Sequence, residues 1–106
     1  MRKRVLLIED DELQAQLVKA LFLMKFPTVE LVRTDNANDG VVKLKSSHFD
    51  LLILDLILPD RDGTSIIDEI AAIPTPPIIV VSALNDSNTV IKTRVLDIVA
   101  FVVKPI

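Results

Sequence analysis

The chain of 106 residues contains no cysteine, so disulfide bonds, thiolate metal sites and cysteine nucleophiles are all excluded. The fold must therefore rest on packing. Long apolar runs are also missing, because a stretch such as Ile98–Val103 is far shorter than the roughly 20 residues of a membrane-spanning helix. Only four apolar residues follow the basic start Met1–Arg4, which is too few for a signal peptide. We therefore expect a cytoplasmic protein that does not contact a membrane.

An excess of basic residues is missing as well. Lys and Arg number 12 against 15 Asp and Glu, which leaves a formal charge of −3. This balance argues against direct contact with nucleic acid. Half of the residues are apolar and 25% are charged, which is a globular composition, and the length predicts a single domain over residues 1–106.

Five short apolar runs predict buried strands. They are Val5–Ile8, Val29–Thr34, Leu51–Leu54, Ile78–Val81 and Val99–Val103. The second run alternates in part with polar residues, which favours an edge position.

Apolar residues at helical spacing separate the strands and predict four helices. The four sets are Leu13, Leu17, Leu21 and Met24; Val41, Val42 and Leu44; Ile66, Ile67, Ile70 and Ile73; and Val90, Ile91, Val95 and Leu96. Residues 35–38 offer caps for the second helix, whose pattern is weakened by Gly40. Strands that alternate with helices predict an α/β fold with a parallel sheet covered on both faces. In such sheets, ligands bind outside the carboxyl ends of the strands.

Polar side chains follow four of the five predicted strands. Glu9 and Asp10 follow the first, Asp55 the third, Ser82 the fourth and Lys104 the fifth. Because parallel strands bring these ends together, we expect three carboxylates, a hydroxyl and an ammonium group in one crevice.

Each of these residues also has a plain structural interpretation. Asp10 or Asp11 could cap the first helix, and we assign Asp11 to that role. Ser82 could belong to a turn, and Lys104 could be a solvated chain end. Asp55 is harder to explain in this way, because an isolated carboxylate between apolar residues needs a counter-charge.

Three neighbouring carboxylates predict a hard cation with a preference for oxygen ligands. Mg²⁺ fits this set better than zinc, which would require His or Cys ligands, and the single histidine, His48, lies in a predicted surface loop. An aspartate beside a bound metal can attack phosphorus and form an aspartyl phosphate. A metal, an ammonium group and a hydroxyl donor would stabilise the charge of the transferred phosphoryl group.

These motifs resemble the receiver domain of two-component response regulators. The resemblance runs from Arg4 to Pro105 and includes Glu9-Asp10, the stretch from Leu54 to Gly63, Ser82-Ala83 and Lys104-Pro105. It implies a flavodoxin-like, doubly wound sheet of five strands in the order 2-1-3-4-5.

The resemblance also implies a role for each matching residue. Asp55 is expected to accept the phosphoryl group from a sensor histidine kinase or a histidine phosphotransfer protein. Asp10 and Asp55 are expected to bind Mg²⁺ directly. Glu9 is expected to bind it through water, and Ile57 through its backbone carbonyl. Ser82 and Lys104 are expected to bind the phosphoryl group, with a cis peptide bond before Pro105. Phe101 matches an aromatic that turns inward on activation, changing the face that an output domain or downstream protein recognises; plain core packing is its alternative role.

Two departures from the family pattern change the expectations. Residues 96–100 read Leu-Asp-Ile-Val-Ala where relatives usually carry Gly-Ala and acidic residues. The chain also stops at Ile106, so we expect a receiver truncated after the fifth strand, without the family's fifth helix. We expect Val5, Leu7 and Val102 to be exposed as a result, with self-association such as a homodimer, or cover from a missing segment or a partner.

Three other functions remain as alternatives to a phosphorylation switch. A pseudo-receiver would dock or dimerise without phosphorylation. A hydrolase of the aspartyl-phosphate type would need a second aspartate two residues after the nucleophile, where this chain has Ile57. A flavin mononucleotide carrier would need a phosphate loop at residues 9–12, where four acidic residues would repel phosphate.

Overall fold

The computed structural model describes residues 2–56, 58–60, 63–82 and 98–103. Its elements, in chain order, are β1 (Arg4–Ile8), α1 (Glu12–Lys25), β2 (Glu30–Thr34), α2 (Ala37–Ser46), β3 (Leu51–Leu54), α3 (Gly63–Ala71), β4 (Ile78–Ser82) and β5 (Ile98–Val103). The strands form one parallel sheet in the order β2-β1-β3-β4-β5. The predicted α/β class, strand order and edge position of the second strand are confirmed. The predicted fourth helix lies outside the described residues.

The central strands β1 and β3 pack on both faces of the sheet, because side chains alternate along a strand and both sets are apolar in these two strands. Leu6 and Ile8 of β1 pack with the buried residues of α2 and α3 in one core cluster. Val5 and Leu7 face the opposite way and pack with Ala15 of α1 in a second cluster. The central strand β3 contributes to both clusters.

Helix α1 forms where the sequence predicts it, but its buried face differs from the predicted one. Its N-cap is Asp11, whose carboxylate accepts the backbone N–H of Gln14 at 3.0 Å. The predicted apolar face is 39–81% exposed; it comprises Leu13, Leu17, Leu21 and Met24. The sheet side of the helix instead carries Ala15, with Val18 and Phe22 partly buried. These three residues are also at helical spacing, and the small Ala15 allows close contact with the sheet.

The expected exposure of the first strand is wrong. Val5 and Leu7 are 3% and 2% exposed, because α1 covers them. Val102 of β5 is 37% exposed, as expected. It lines an apolar groove beside α1 together with Phe22, Phe26, Ile53, Ile79 and Val81. Self-association through this face stays a prediction.

In the described ranges, no helix combines the length and apolar character that crossing a bilayer requires.

Helix α2 lies close to the sheet at Gly40. Asn36 caps the helix by accepting the backbone N–H of Asp39 at 2.8 Å. A Cβ atom added at Gly40 would lie 2.3 Å from Cδ1 of Ile8 and 3.2 Å from Oγ1 of Thr34. The glycine that weakens the helix pattern in the sequence is therefore required by packing.

Replacing Gly40 with alanine should destabilise the protein. Helix propensity favours alanine over glycine by about 1 kcal/mol. However, the buried Ile8 side chain would have to move, and overpacking of this kind costs about 1–3 kcal/mol. We expect a lower urea midpoint for Gly40→Ala. The exposed change Asn38→Ala in the same helix is the control, and an unchanged or raised midpoint for Gly40→Ala would contradict the packing argument.

The turn before β3 is joined to the start of β1 by Asp50. Its carboxylate accepts the backbone N–H of Arg4 at 2.8 Å, and its backbone N–H donates to the Arg4 carbonyl at 2.7 Å. The first of these hydrogen bonds is the main reason why the pKa of Asp50 is lowered from its ordinary value of 3.8, with a further contribution from His48. The ionised carboxylate therefore favours the folded state.

The stabilisation by Asp50 should depend on pH. Because its pKa is lower in the folded state, the contribution is complete above pH 3.8 and is lost as the pH falls through the lowered folded value. Asp50→Asn should therefore reduce the free energy of unfolding at pH 7, and the difference from wild type should shrink below pH 3.8. Urea denaturation between pH 7 and pH 3 measures this. Asp35→Asn serves as the control, and a difference for Asp50→Asn that does not vary with pH would contradict the assignment.

Candidate functional site

The register of β1 and β3 places two acidic residues side by side. Ile8 pairs with Leu54, and the backbone N–H of Asp55 donates to the Ile8 carbonyl at 3.0 Å, so that the ladder continues one residue beyond both strands. On the other side of β1, the N–H of Glu9 donates to the Thr34 carbonyl at 3.1 Å. Glu9 and Asp55 are therefore held by sheet hydrogen bonds at its carboxyl edge.

Asp10 completes a cluster of three carboxylates. Glu9, Asp10 and Asp55 each contribute a carboxylate oxygen, and these oxygens lie within 4.8 Å of one another. Glu9 and Asp55 are 2% and 4% exposed, whereas Asp10 is exposed. The neighbouring Asp11 caps α1 instead, as predicted. The structure thus brings together the three carboxylates that the sequence singled out.

The donor set of this cluster fits a hard divalent cation. All three donors are carboxylate oxygens, and Mg²⁺ prefers oxygen ligands and commonly binds one or two carboxylates together with water or a phosphate. A zinc site would require nitrogen or sulfur ligands, and the one histidine, His48, has a side chain that is 80% exposed and is hydrogen-bonded to Asp50.

Arg33, which was not among the predicted site residues, contacts the loop that carries Glu9 and Asp10. Its Nε and Nη2 atoms donate to the Glu9 carbonyl at 3.0 and 2.9 Å, and Nη2 also donates to the Asp10 carbonyl at 3.2 Å. Its Nη1 atom pairs with the Glu12 carboxylate. The sequence feature that could have indicated this contact is the position of Arg33 near the end of the predicted second strand, because parallel strands bring their ends close to the acidic residues that follow the first strand.

Glu12 is held at the edge of the site by two donors. The Gln16 side-chain amide donates to Glu12 at 3.0 Å, and this bond, followed by the contact with Arg33, lowers the pKa of Glu12 from its ordinary value of 4.5. Glu12 therefore stays ionised and keeps its pairing with Arg33 at neutral pH.

Asp60 was also not among the predicted site residues. Its carboxylate joins the loop after β3 to α2. Its two oxygens accept the backbone N–H groups of Ala37 and Asn38, each at 2.9 Å. Both N–H groups belong to the first turn of α2, where free donors and the helix dipole favour an anion. This contact anchors the loop that follows Asp55.

The other predicted site residues are covered by the structure only in part. Ser82 is the last residue of β4 and pairs with Val103, so its backbone lies at the same edge of the sheet as Asp55. Phe101 pairs with Val80 and is half-buried against the core cluster on the α2 and α3 side. Ile57, Lys104 and Pro105 lie outside the described residues.

Comparison with known proteins defines the family. Residues 5–106 match the response regulator receiver domain. The chain is 35% identical over 92 residues to the transcriptional regulatory protein KdpE of Staphylococcus aureus, a match that covers 87% of this chain and 39% of that protein. It spans less than half the length of this and other curated relatives that it matches.

Solved structures agree with this assignment. The Mn²⁺-bound form of response regulator Rcp1 superposes with a TM-score of 0.82 at 26% identity, covering 97% of this chain and 81% of that chain. Response regulator TrrA of Thermotoga maritima, in complex with Mg²⁺-BeF, superposes with a TM-score of 0.80 at 25% identity, covering 97% and 87%.

The chain therefore belongs to the response regulator receiver domain family of two-component systems. Phosphorylation-dependent switching is the general function of this family, and its members interact with histidine kinases, phosphotransfer proteins and output domains. The chain thus has a regulatory role in phosphorelay signalling.

Crowding of the carboxylates should make the site a source of instability when no divalent cation is present. Like charges about 4 Å apart repel by roughly 1 kcal/mol even at the dielectric constant of water. Asp10→Asn removes one charge from the exposed side and should raise the free energy of unfolding in metal-free buffer, measured by urea denaturation. Asp11→Asn is the matched control, because asparagine caps a helix as well as aspartate does. A decrease for Asp10→Asn relative to this control would contradict the repulsion argument.

Proposed function

We propose that this chain is a phosphorylation-dependent switch in which Asp55 accepts a phosphoryl group from a sensor histidine kinase or a histidine phosphotransfer protein. Mg²⁺ binds beside it, with Asp10 and Asp55 as direct ligands and Glu9 as a ligand through water. The cytoplasm, where such kinases present their phosphohistidine, is the compartment that we propose.

The observation that carries this proposal is the cluster of Glu9, Asp10 and Asp55 at the carboxyl edge of the sheet. The carboxylate oxygens of these three residues lie within 4.8 Å of one another and two of the residues are buried, so their negative charges repel at short range where water screens them poorly. A cation-dependent role explains why the fold retains them. The metal-bound structures of Rcp1 and TrrA, both of the same family, support this explanation.

The position of Asp55 suits a nucleophile. A carboxylate oxygen of Asp55 attacks the phosphorus atom of the donor phosphohistidine and forms an acyl phosphate, while the P–N bond breaks and the donor imidazole leaves with the electron pair of that bond and takes up a proton. When bound, Mg²⁺ supplies positive charge that offsets the negative charge of the carboxylates and of the transferred group. The backbone of Asp55 is held by the sheet, and its low exposure limits the freedom of the side chain.

The remaining site residues complete the proposed chemistry. Ser82 donates a hydrogen bond to a phosphoryl oxygen, and Lys104 supplies a cation beside the phosphate. The Ile57 backbone carbonyl is the third direct protein ligand of Mg²⁺. The location of the Ser82 backbone at the same edge supports its role, and the family resemblance supports the other two.

The proposed output of the switch is a change in the face formed by the fourth helix and β5. Phe101 moves further into the core as Ser82 is drawn to the phosphoryl group. The half-buried state of Phe101, packed against the core cluster, is compatible with such a movement. An output domain or a downstream protein recognises the changed face.

Intact mass spectrometry after incubation with Mg²⁺ and acetyl phosphate tests this function. We expect one phosphoryl addition, about 80 Da by the chemistry of an acyl phosphate, which is absent from Asp55→Asn and is prevented by chelation of the metal. Glu69→Gln is the control, because it removes an acidic residue of α3, away from the cluster.

The absence of any addition to a protein shown to be folded by circular dichroism would contradict the phospho-acceptor role. Binding of a partner with the same affinity in the presence and absence of the phosphodonor would then favour the alternative of a pseudo-receiver that acts as a docking module.

A further inference from the structure

Arg33 of β2 forms more hydrogen bonds than a surface ion pair requires. Of its contacts with the acidic loop, three are hydrogen bonds to backbone carbonyls, two to Glu9 and one to Asp10. Only the contact with Glu12 is an ion pair. The Arg33 side chain is 26% exposed, so these contacts are partly shielded from water.

The carbonyl contacts act on the two residues whose carboxylates face each other. A guanidinium group presents its N–H donors in a rigid planar fork, so the contacts restrict the peptide planes of Glu9 and Asp10. On the other side of Glu9, its backbone N–H is held by the Thr34 carbonyl, which belongs to the residue after Arg33. The end of β2 therefore holds the backbone on both sides of the Glu9 side chain.

Such restraint matters because the carboxylates repel one another. If Arg33 did not restrain the short loop between β1 and α1, repulsion would turn the Asp10 carboxylate away from Glu9 and Asp55. Binding of a cation would then first have to bring Asp10 back. Groups that orient metal ligands without touching the metal commonly affect affinity strongly.

We propose that Arg33 is a positioning residue for the divalent cation site, and that it acts through the backbone carbonyls of Glu9 and Asp10. This inference rests on the proposed function, because it assumes that the carboxylate cluster binds Mg²⁺. The ion pair with Glu12 is a separate contact of the guanidinium group, and the positioning role does not depend on it.

Simple electrostatics predicts the opposite effect of removing Arg33. A fixed positive charge near the site repels Mg²⁺, so Arg33→Met should strengthen cation binding if only charge matters. Loss of positioning should weaken it. The sign of the change therefore separates the two explanations.

The experiment is a titration of the intact chain with Mn²⁺, in which free Mn²⁺ is measured by electron paramagnetic resonance at about 0.15 M salt to screen long-range charge effects. We expect Arg33→Met to weaken Mn²⁺ binding by about 10-fold, as reported generally for residues that orient metal ligands. Arg33→Lys keeps the charge but loses the planar fork, and we expect a similar loss. Glu12→Gln, the matched control, removes the ion pair but keeps the carbonyl contacts and should change affinity by less than about twofold, within the range of a screened surface charge.

A second measurement separates positioning from general damage to the fold. Phosphoryl addition to Asp55 in Arg33→Met should reach the wild-type rate at saturating Mg²⁺, with only the half-saturating Mg²⁺ concentration increased. Circular dichroism checks that each variant is folded. If Arg33→Met does not fold, the same Mn²⁺ titration and phosphorylation measurements on Arg33→Lys test the positioning role.

Unchanged or tighter Mn²⁺ binding by the folded Arg33 variants would overturn the positioning role while leaving the proposed function intact. An equal loss in Glu12→Gln would overturn it as well, by assigning the effect to the ion pair. Failure of the wild-type chain to bind Mn²⁺ would overturn the proposed cation site itself, and the positioning role with it.

Discussion

The parallel pairing of β1 with β3 fixes the positions of the acidic residues and of the helices packed on either side. Ile8 lies opposite Leu54, and the Asp55 N–H extends this ladder to the residue after the strand. Since neighbouring strands are about 4.8 Å apart, this register holds the backbones of Glu9 and Asp55 side by side. A shift of one residue would move the apolar side chains of β1 to the wrong face and separate Glu9 from Asp55.

The core explains why this register is unique. Leu6 and Ile8 must meet α2 and α3, and Val5 and Leu7 must meet α1, so both faces of β1 are specified by packing. The close approach of α2 to the sheet at Gly40 adds a further restraint at the level of Ile8, directly before the acidic residues. Packing energy thus holds together charges that would otherwise separate.

The loops around the site are held by polar contacts from neighbouring elements. Arg33 binds the loop after β1, and Asp60 joins the loop after β3 to the first turn of α2. The two contacts have opposite charge but act in the same way, since each ionised side chain satisfies two backbone groups of another element. A rigid sheet edge with restrained loops is what a preorganised ligand set requires.

The amino-acid sequence was enough to predict the class of fold, the strand order through its resemblance to receivers, and the identity of the three clustered carboxylates. It could do so because buried strands are short apolar runs, and because parallel strands always bring their carboxyl ends together. It did not determine which face of α1 is buried, since two apolar sets lie at helical spacing and only contact with the sheet selects Ala15 over Leu13 and Met24. Nor did it reveal the contacts of Arg33 and Asp60, because each joins elements more than 20 residues apart. Contacts of this kind form only once separate elements have packed together, so no local sequence pattern indicates them.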